Sequence, residues 1–361
     1  MIEIKPVRHK DCQEVLINLF RTSFRREMSE QLWNWKYINH PLALSEPEVI
    51  VAMDKGKIVG ARPFLLMELQ YKGERLIGAE HCDTMVHPEY RNKGIFNKMG
   101  TYSIRYLKEH HCAVTYGFPN AQSRQGFLNQ GYRIVAPTEI LFRPLKPQRL
   151  ISQKTHSRWI GHAVGSAYEV LSKLKFVRNH RTNVIRTVVR ETCEEKFPLL
   201  NTWQDREKID LVRSKTNLKW RFDHHPHHTY RYILAEKEGT FSGYAVISVQ
   251  EQNDGQKRGI IMDYLIQDHD PECFRAVLKK ASCELARAGA DIVVIWAPCE
   301  SALRNELIEI LGFKSSCKFP YNKLMESGHI DALLIDERIG RHIDFYEKLN
   351  WRMTCALADF L

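Results

Sequence analysis

No apolar run in this 361-residue chain approaches the ~20 residues that a membrane-spanning helix needs. The first residues, Met1-Ile2-Glu3-Ile4-Lys5-Pro6, lack the charged start and apolar centre of a signal peptide and read as a first strand. A cytoplasmic location is therefore the expectation. Close cysteine pairs are missing too: the nine cysteines are scattered from Cys12 to Cys355 without a Cys-x-x-Cys. That spacing argues against a zinc or redox site and for reduced thiols, and no cysteine stands out as a nucleophile. Acidic residues are scarce in one stretch. Between Arg143 and Arg190 eleven lysines and arginines are met by Glu169 alone, so this segment accounts for the whole net charge of +10.

What is present describes a folded chain. Hydrophobic residues make up 43% and charged ones 27%, too apolar a mixture for a disordered protein. The length suggests two domains, each able to bury its own core. Inside the basic stretch, Trp159, Ile160, Val164, Ala167, Tyr168, Leu171 and Leu174 fall on one helical face. Two readings stay open: an amphipathic helix packed on the protein with solvated bases at its edges, or a surface for an anionic membrane, nucleic acid or phosphorylated substrate. No nucleic-acid motif of interleaved aromatic and basic residues accompanies it.

The chain also repeats itself. Trp35-Lys36-Tyr37-Ile38-Asn39-His40-Pro41 is echoed by Trp220-Arg221-Phe222-Asp223-His224-His225-Pro226, at an offset of 185. A charged turn ending in Gly56, with Gly60 in the strand that follows, matches Gly239 and Gly243 at an offset of 183. Asp83 and Asp263, placed in corresponding strands, lie 180 apart, and Gly131-Tyr132 and Gly312-Phe313 lie 181 apart. Such constant spacing implies two copies of one fold. The expected division is an N-terminal domain over 1–145, a basic helical linker over 146–190 and a C-terminal domain over 191–361.

In the first copy, Cys12, Val15, Leu16, Leu19, Phe20 and Phe24 mark a helix. Glu48 to Met53 and Lys57 to Leu69 form a hairpin about Asp54-Lys55-Gly56, and Arg75 to Val86 reads as one long strand. A helix from about Ile95 to His110, a strand from Ala113 to Phe118, a short helix from Ala121 to Gln130 and a last strand follow. The fold class is α/β, of the α+β type with a mixed sheet.

The stretch from Thr84 to Phe96 is a strand, a tight turn and the opening of a helix. That geometry aims backbone N–H groups and the positive end of a helix dipole at one spot, which suits a pyrophosphate. Gly94 leaves room for close approach of the phosphates. The string His87-Pro88-Glu89-Tyr90-Arg91-Asn92-Lys93-Gly94-Ile95-Phe96 closely resembles the signature of the GNAT N-acyltransferases: arginine or glutamine, two residues, glycine, one residue, a small residue. Phe96 departs from it, since the family most often has glycine or alanine there. The resemblance implies two tandem acyl-CoA N-acyltransferase folds, with acetyl-CoA as co-substrate held by Met85, Val86, Arg91, Asn92, Lys93, Gly94, Ile95 and Phe96. It further implies that Asn120, ahead of the short helix leading to Gly131-Tyr132, holds the pantetheine arm. A tyrosine that protonates the departing thiolate often sits in that helix; the equivalent position here is Phe127, which has no proton to give.

Attack on a thioester requires an ammonium to lose a proton first. The strand before the loop offers Glu80, His81 and Asp83, and by alternation Glu80 faces away from the other two. The resemblance implies a carboxylate base on this strand, with Glu80 at the spacing of many GNAT enzymes, so Glu80 and Asp83 are the candidates, while the counterpart Asp263 hints at a structural part for Asp83. In the second copy the loop is replaced by Gln267-Asp268-His269-Asp270-Pro271-Glu272, whose acids repel a pyrophosphate, so that copy is read as a degenerate GNAT domain that shapes the substrate cleft. The run His224-His225-Pro226-His227-His228 invites a metal reading, but it lies in the repeat and no metal is expected. Trp33 to Pro41 and the domain interface are expected to help form the acceptor pocket. The function expected is transfer of an acetyl group from acetyl-CoA to a primary amine of a small molecule or sugar. The alternatives are a tandem GNAT-fold ligase using aminoacyl-tRNA and a non-catalytic CoA-binding protein.

Overall fold

The computed structural model describes residues 1–42, 48–148, 185–193, 208–252, 255–318, 328–340 and 344–358. The apolar pattern from Trp159 to Leu174 lies outside them.

The first copy opens with β1 (Glu3–Arg8) and helix α1 (His9–Phe24), which buries Leu16, Leu19 and Phe20 at helical spacing. Helix α2 (Glu30–Trp33) widens into a π turn over Asn34–Ile38, capped at its start by the Ser29 hydroxyl accepting from Leu32 N–H. Strands β2 (Glu48–Asp54), β3 (Lys57–Arg62), β4 (Phe64–Tyr71), β5 (Glu74–His81) and β6 (Met85–Val86) follow, then α3 (Ile95–Glu109), β7 (Val114–Gly117), α4 (Arg124–Asn129), β8 (Arg133–Thr138) and β9 (Ile140–Pro144). Two of the long strands expected from the sequence are broken. Pro63 divides β3 from β4, because it has no N–H for the ladder. Asp83, at φ 49°, divides β5 from β6, and a left-handed residue cannot continue a strand. One sheet therefore runs β1-β2-β3-β6, and β4 and β5 splay away into another.

The second copy repeats the plan with β10 (Ile185–Arg190), β11 (Asp210–Leu211), α5 (Lys215–Leu218) and its π turn Lys219–Asp223, β12 (Tyr230–Lys237), β13 (Thr240–Glu251), β14 (Lys257–Ile266), α6 (Pro271–Arg287), β15 (Ile292–Trp296), α7 (Ser301–Asn305), β16 (Lys314–Ser315) and β17 (Gly328–Leu334). The β-bulge between Ala52 and Met53 recurs between Ala235 and Glu236. Here β13 and β14 run unbroken.

The domain boundaries differ from the expected ones in two respects. Residues 185–190 belong to no linker: they form β10, which pairs antiparallel with β12 as β1 pairs with β2. Arg186 and Arg190 were counted with the basic segment, yet they alternate with less exposed neighbours on an edge strand. In addition, the copies exchange their last strands. The second sheet runs β10-β12-β13-β14-β15-β9-β16, so β9 of the first copy lies between β15 and β16; the first copy's other sheet runs β11-β4-β5-β7-β17-β8, so β17 lies between β7 and β8.

The repeated motif fastens the halves together. Trp35 and Trp220 stack 4.9 Å apart, and each indole N–H donates to the other's carbonyl oxygen at 2.8 and 3.0 Å. The His225 ring lies 4.5 Å from Trp35, and His40 lies 4.2 Å from Trp220. This local two-fold arrangement joins one buried apolar cluster holding Leu65, Met67 and Tyr116 of the first copy with Tyr232, Tyr244 and Trp296 of the second. Trp35 thus serves the join between the halves, where the sequence suggested a part in an acceptor pocket.

Candidate active site

The loop from Pro88 to Gly94 opens on a cleft of about 460 Å³. Its walls come from the end of α1 (Ser23, Phe24), from Thr84 and Val86, from Tyr90, Arg91 and Asn92, from Gly94 through Asn97 at the start of α3, and from Asn120, Gln122, Ser123 and Gly126 at the start of α4. Gly94 is the N-cap of α3 at φ 72°, a backbone conformation that costs glycine little. No side chain caps this helix, so its first amides face the cleft unopposed by a side chain of their own. An anion at that point gains from both the N–H groups and the helix dipole.

Of the residues expected to hold the cofactor, Val86, Arg91, Asn92, Gly94, Ile95, Phe96 and Asn120 line this cleft. Met85 and Lys93 are not among its lining residues. Met85 is wholly buried, in the same apolar cluster as Leu16 and Leu19, and the Lys93 ammonium sits 4.5 Å over the Tyr90 ring. Arg91 holds the loop in place: its guanidinium donates to the Ser23 carbonyl at 2.9 Å, tying the loop to α1. Asn120 closes the turn ahead of α4, its side-chain oxygen accepting from Gln122 and Ser123 N–H, both at 3.0 Å. The Phe96 ring is accommodated by a glycine, since a Cβ on Gly126 would lie 2.4 Å from it. Sequence reasoning missed Ser23, Phe24, Thr84, Tyr90, Asn97, Gln122, Ser123 and Gly126 as lining residues; Thr84, Tyr90 and Asn97 lie in or beside the motif, and the others arrive through packing of α1 and α4.

Glu80 keeps the facing that alternation predicts, opposite His81, whereas Asp83 departs from it. Glu80, 2% exposed, pairs in register with Leu65 and Tyr116 and so faces the cluster between the halves. The Tyr116 phenol is raised well above its usual range by burial and then by the charge of Glu80. Asp83 does not share a strand face with His81, because the left-handed backbone at 83 redirects it. Its carboxylate accepts from Lys36 at 2.5 Å and from the Tyr37 hydroxyl at 2.7 Å, and its side chain stays 17% exposed beside Thr84 of the cleft. Asp263 has a different setting. Fully buried, it takes both arms of Arg213 at 2.9 Å, the Thr354 hydroxyl at 2.8 Å and the Tyr244 hydroxyl. Burial alone would raise its pKa, yet Arg213 with these donors holds it below the ordinary aspartate value.

Phe127 is buried, edge-on to Phe96 at 5.7 Å and to Tyr132 at 4.9 Å. In the second copy the helix start that corresponds to α3 is closed: Asp270 caps α6 by accepting from Glu272 and Cys273 N–H, and it pairs with Lys237 at 2.7 Å. The histidine run is structural in this setting, His225 Nδ1 accepting from His227 and His228 N–H at 3.1 and 3.0 Å. Among the described residues no group of three or more His, Cys, Asp or Glu side chains is arranged to hold a metal ion, and no helix is long and apolar enough to cross a membrane.

The first copy thus has a mixed sheet that splays beside an uncapped helix start. Residues 3–135 match the family model described as an acetyltransferase (GNAT) domain. No curated protein matches the sequence. Among solved structures, a GCN5-related N-acetyltransferase from Anabaena variabilis is similar over 92% of this chain and 73% of its own, at 13% identity and a TM-score of 0.64. A tandem GNAT protein from the clavulanic acid biosynthesis pathway covers 93% of this chain and 99% of its own, at 11% identity and a TM-score of 0.55. N-myristoyltransferase of Saccharomyces cerevisiae with bound myristoyl-CoA covers 92% and 79%, at 13% identity and a TM-score of 0.58. Residues 3–135 are thus similar to GNAT acetyltransferase domains, and the chain as a whole has the fold of these structures, present twice in tandem.

Proposed function

We propose that the chain transfers an acetyl group from acetyl-CoA to a primary amine of a small molecule or sugar. The observation that carries this reading is the open start of α3: Gly94 at φ 72°, no capping side chain, and a cleft that extends to Thr84 and Asn120. The pyrophosphate lies at the α3 amides, and the pantetheine arm runs between Val86 and Asn120 toward Thr84. Main-chain amides near Met85 and Val86 polarise the thioester carbonyl. Of the two candidate bases the geometry favours Asp83, partly open and next to Thr84, over the sealed Glu80. Positioning and desolvation supply the rest of the acceleration.

Calorimetric titration with acetyl-CoA, followed by thiol release with a panel of amines, tests the reading. Binding of one acetyl-CoA and amine-dependent release are expected. An Asp83→Asn variant should lose on the order of 100-fold in kcat at unchanged acetyl-CoA affinity. No binding at high micromolar concentration would remove the proposal. Parallel titrations with longer acyl-CoAs decide the acyl length.

A further inference from the structure

The two copies, aligned through their strand registers, differ most sharply beneath α4. In the first copy His81 pairs with Gly117 and Gly117 with Asp331, while Ala79 pairs with Thr115; in the second the same rows read Ile261, Ile295 and Leu141, and Gly259 with Val293. Across the bulge, Arg62 opposite Ile50 corresponds to Ala245 opposite Ile233. Arg62, His81, Thr115 and Asp331 are thus matched by Ala245, Ile261, Val293 and Leu141, all members of one apolar core. The fold is therefore complete with apolar residues at these places. In the first copy it instead buries an arginine at 0% exposure, a histidine at 5% and an aspartate at 0%. Polar groups so enclosed cost stability wherever they lack full partners.

Arg62 is the informative member. Its Nε–H donates to His81 Nδ1 at 3.3 Å; its two terminal nitrogens meet no partner at full hydrogen-bond geometry among the described residues, and the Tyr132 hydroxyl is the polar group that interacts with the guanidinium there. Burial and then the Arg62 charge keep His81 far below its usual pKa, so the imidazole is neutral and the cation is not cancelled there. The Tyr132 phenol lies near enough to feel the guanidinium, and burial keeps it protonated. No carboxylate among the described residues forms an ion pair with Arg62. Its other neighbours are two aromatic faces, Phe127 with its centroid at 5.0 Å and Phe96 at 5.3 Å. Phe96 is itself a wall of the cleft, so one ring separates this positive charge from whatever the cleft holds.

Resting on the acyl-transfer reading above, we propose that Arg62 stabilises the CoA thiolate as it departs, acting through the Phe96–Phe127 wall. In that step the amine lone pair forms the C–N bond, and the C–S bond breaks with its electron pair on sulfur. The proton given up by nitrogen balances that charge once it reaches the thiolate. Phe127 has no proton to offer, and a fixed cation behind it lowers the energy of the sulfur anion before that proton arrives. At an effective dielectric near 20 and a separation on the order of 10 Å across one ring, the attraction amounts to roughly one unit in the pKa of the bound thiol, about a tenfold effect. Arg62 is a positioned charge and touches no reacting atom.

The deciding readout needs no acceptor amine. Free CoA is bound to the full chain, and thiolate absorbance is followed against pH, with desulfo-CoA as the blank for the protein's own cysteines. His81, Tyr132 and Thr115 face Arg62 from the strands and the α4 end, and Asp331 with Arg124 lies farther along the same layer. The double variant Arg62→Met with His81→Ile takes up the apolar character of the second copy, so it should melt no lower than the parent. Expected are CoA affinity within threefold of the parent, a bound-thiol pKa higher by about one unit and, with an amine found by the thiol-release panel, kcat roughly tenfold lower. Arg62→Lys should restore most of both. A bound-thiol pKa that does not move in the double variant overturns the inference while leaving the acyl-transfer reading intact. CoA that fails to bind the parent chain removes both. Should the double variant not fold, Arg62→Lys against Arg62→Gln decides on the same absorbance.

Discussion

The two helices that follow the central strands begin in opposite ways, α3 on a glycine at φ 72° and α6 on an aspartate that fills its own cap. Both starts belong to the same fold at equivalent places, and both are compatible with a stable helix. An aspartate cap satisfies the first amides internally and neutralises the positive helix end, which leaves nothing for an outside anion. A glycine leaves those amides to be satisfied from outside. The same division recurs deeper in, where the first copy has Arg62, His81 and Asp331 and the second has Ala245, Ile261 and Leu141. One copy gives up local stability around a cleft, and the other is built as a plain core.

The sharpest way to break this contrast is at the paired aspartates. Arg213→Met leaves Asp263 buried without its guanidinium and should cost about 3–5 kcal/mol, read as a shift in urea unfolding. A loss under 1 kcal/mol would mean that Asp263 is not the structural counterpart described here.

Acid should loosen the join between the halves next. Burial lowers His40 and His225 to about 3, helped by Arg221 at His40 and by His228 at His225. Both are neutral when folded but take up protons when unfolded at the ordinary value of 6.5. Stability is therefore full above pH 6.5 and declines as pH falls from 6.5 toward 3. Between pH 7 and pH 5 each histidine should remove about 1–2 kcal/mol, and His40→Gln should flatten the slope by one such share. An unchanged slope in His40→Gln would contradict the burial argument.

The smallest effect concerns the cap itself. Asp270→Ala should lower stability by about 1 kcal/mol without creating a second acetyl-CoA site, because Asp268 and Glu272 still flank the helix start. Calorimetry on that variant gives both answers.

Much of this was legible in the sequence, for identifiable reasons. The loop from Arg91 to Phe96 combines a positive-φ glycine with a helix start, and both leave local marks. The repeat showed through Trp35 and Trp220 because the same residues stack on one another across the join, so each copy needs the same side chain. The strand exchange did not show. Ile140-Leu141-Phe142 is apolar enough to sit in either sheet, and nothing local says which neighbour it meets. The kink at Asp83 was missed since no glycine marks its positive φ. Arg62 and His81 meet directly across β3 and β5, and only Asp331 arrives on the exchanged β17; comparing the copies at offsets of 183 and 180 would have shown Arg62 against Ala245 and His81 against Ile261.

The central claim is that only one of two matching helix starts receives the cofactor. Titration of the full chain and of Gly94→Asp with acetyl-CoA in a calorimeter tests it most directly. One acetyl-CoA per chain, with affinity at least tenfold weaker in Gly94→Asp, is the expected result. Two equivalents per chain, or equal affinity in the variant, would contradict it.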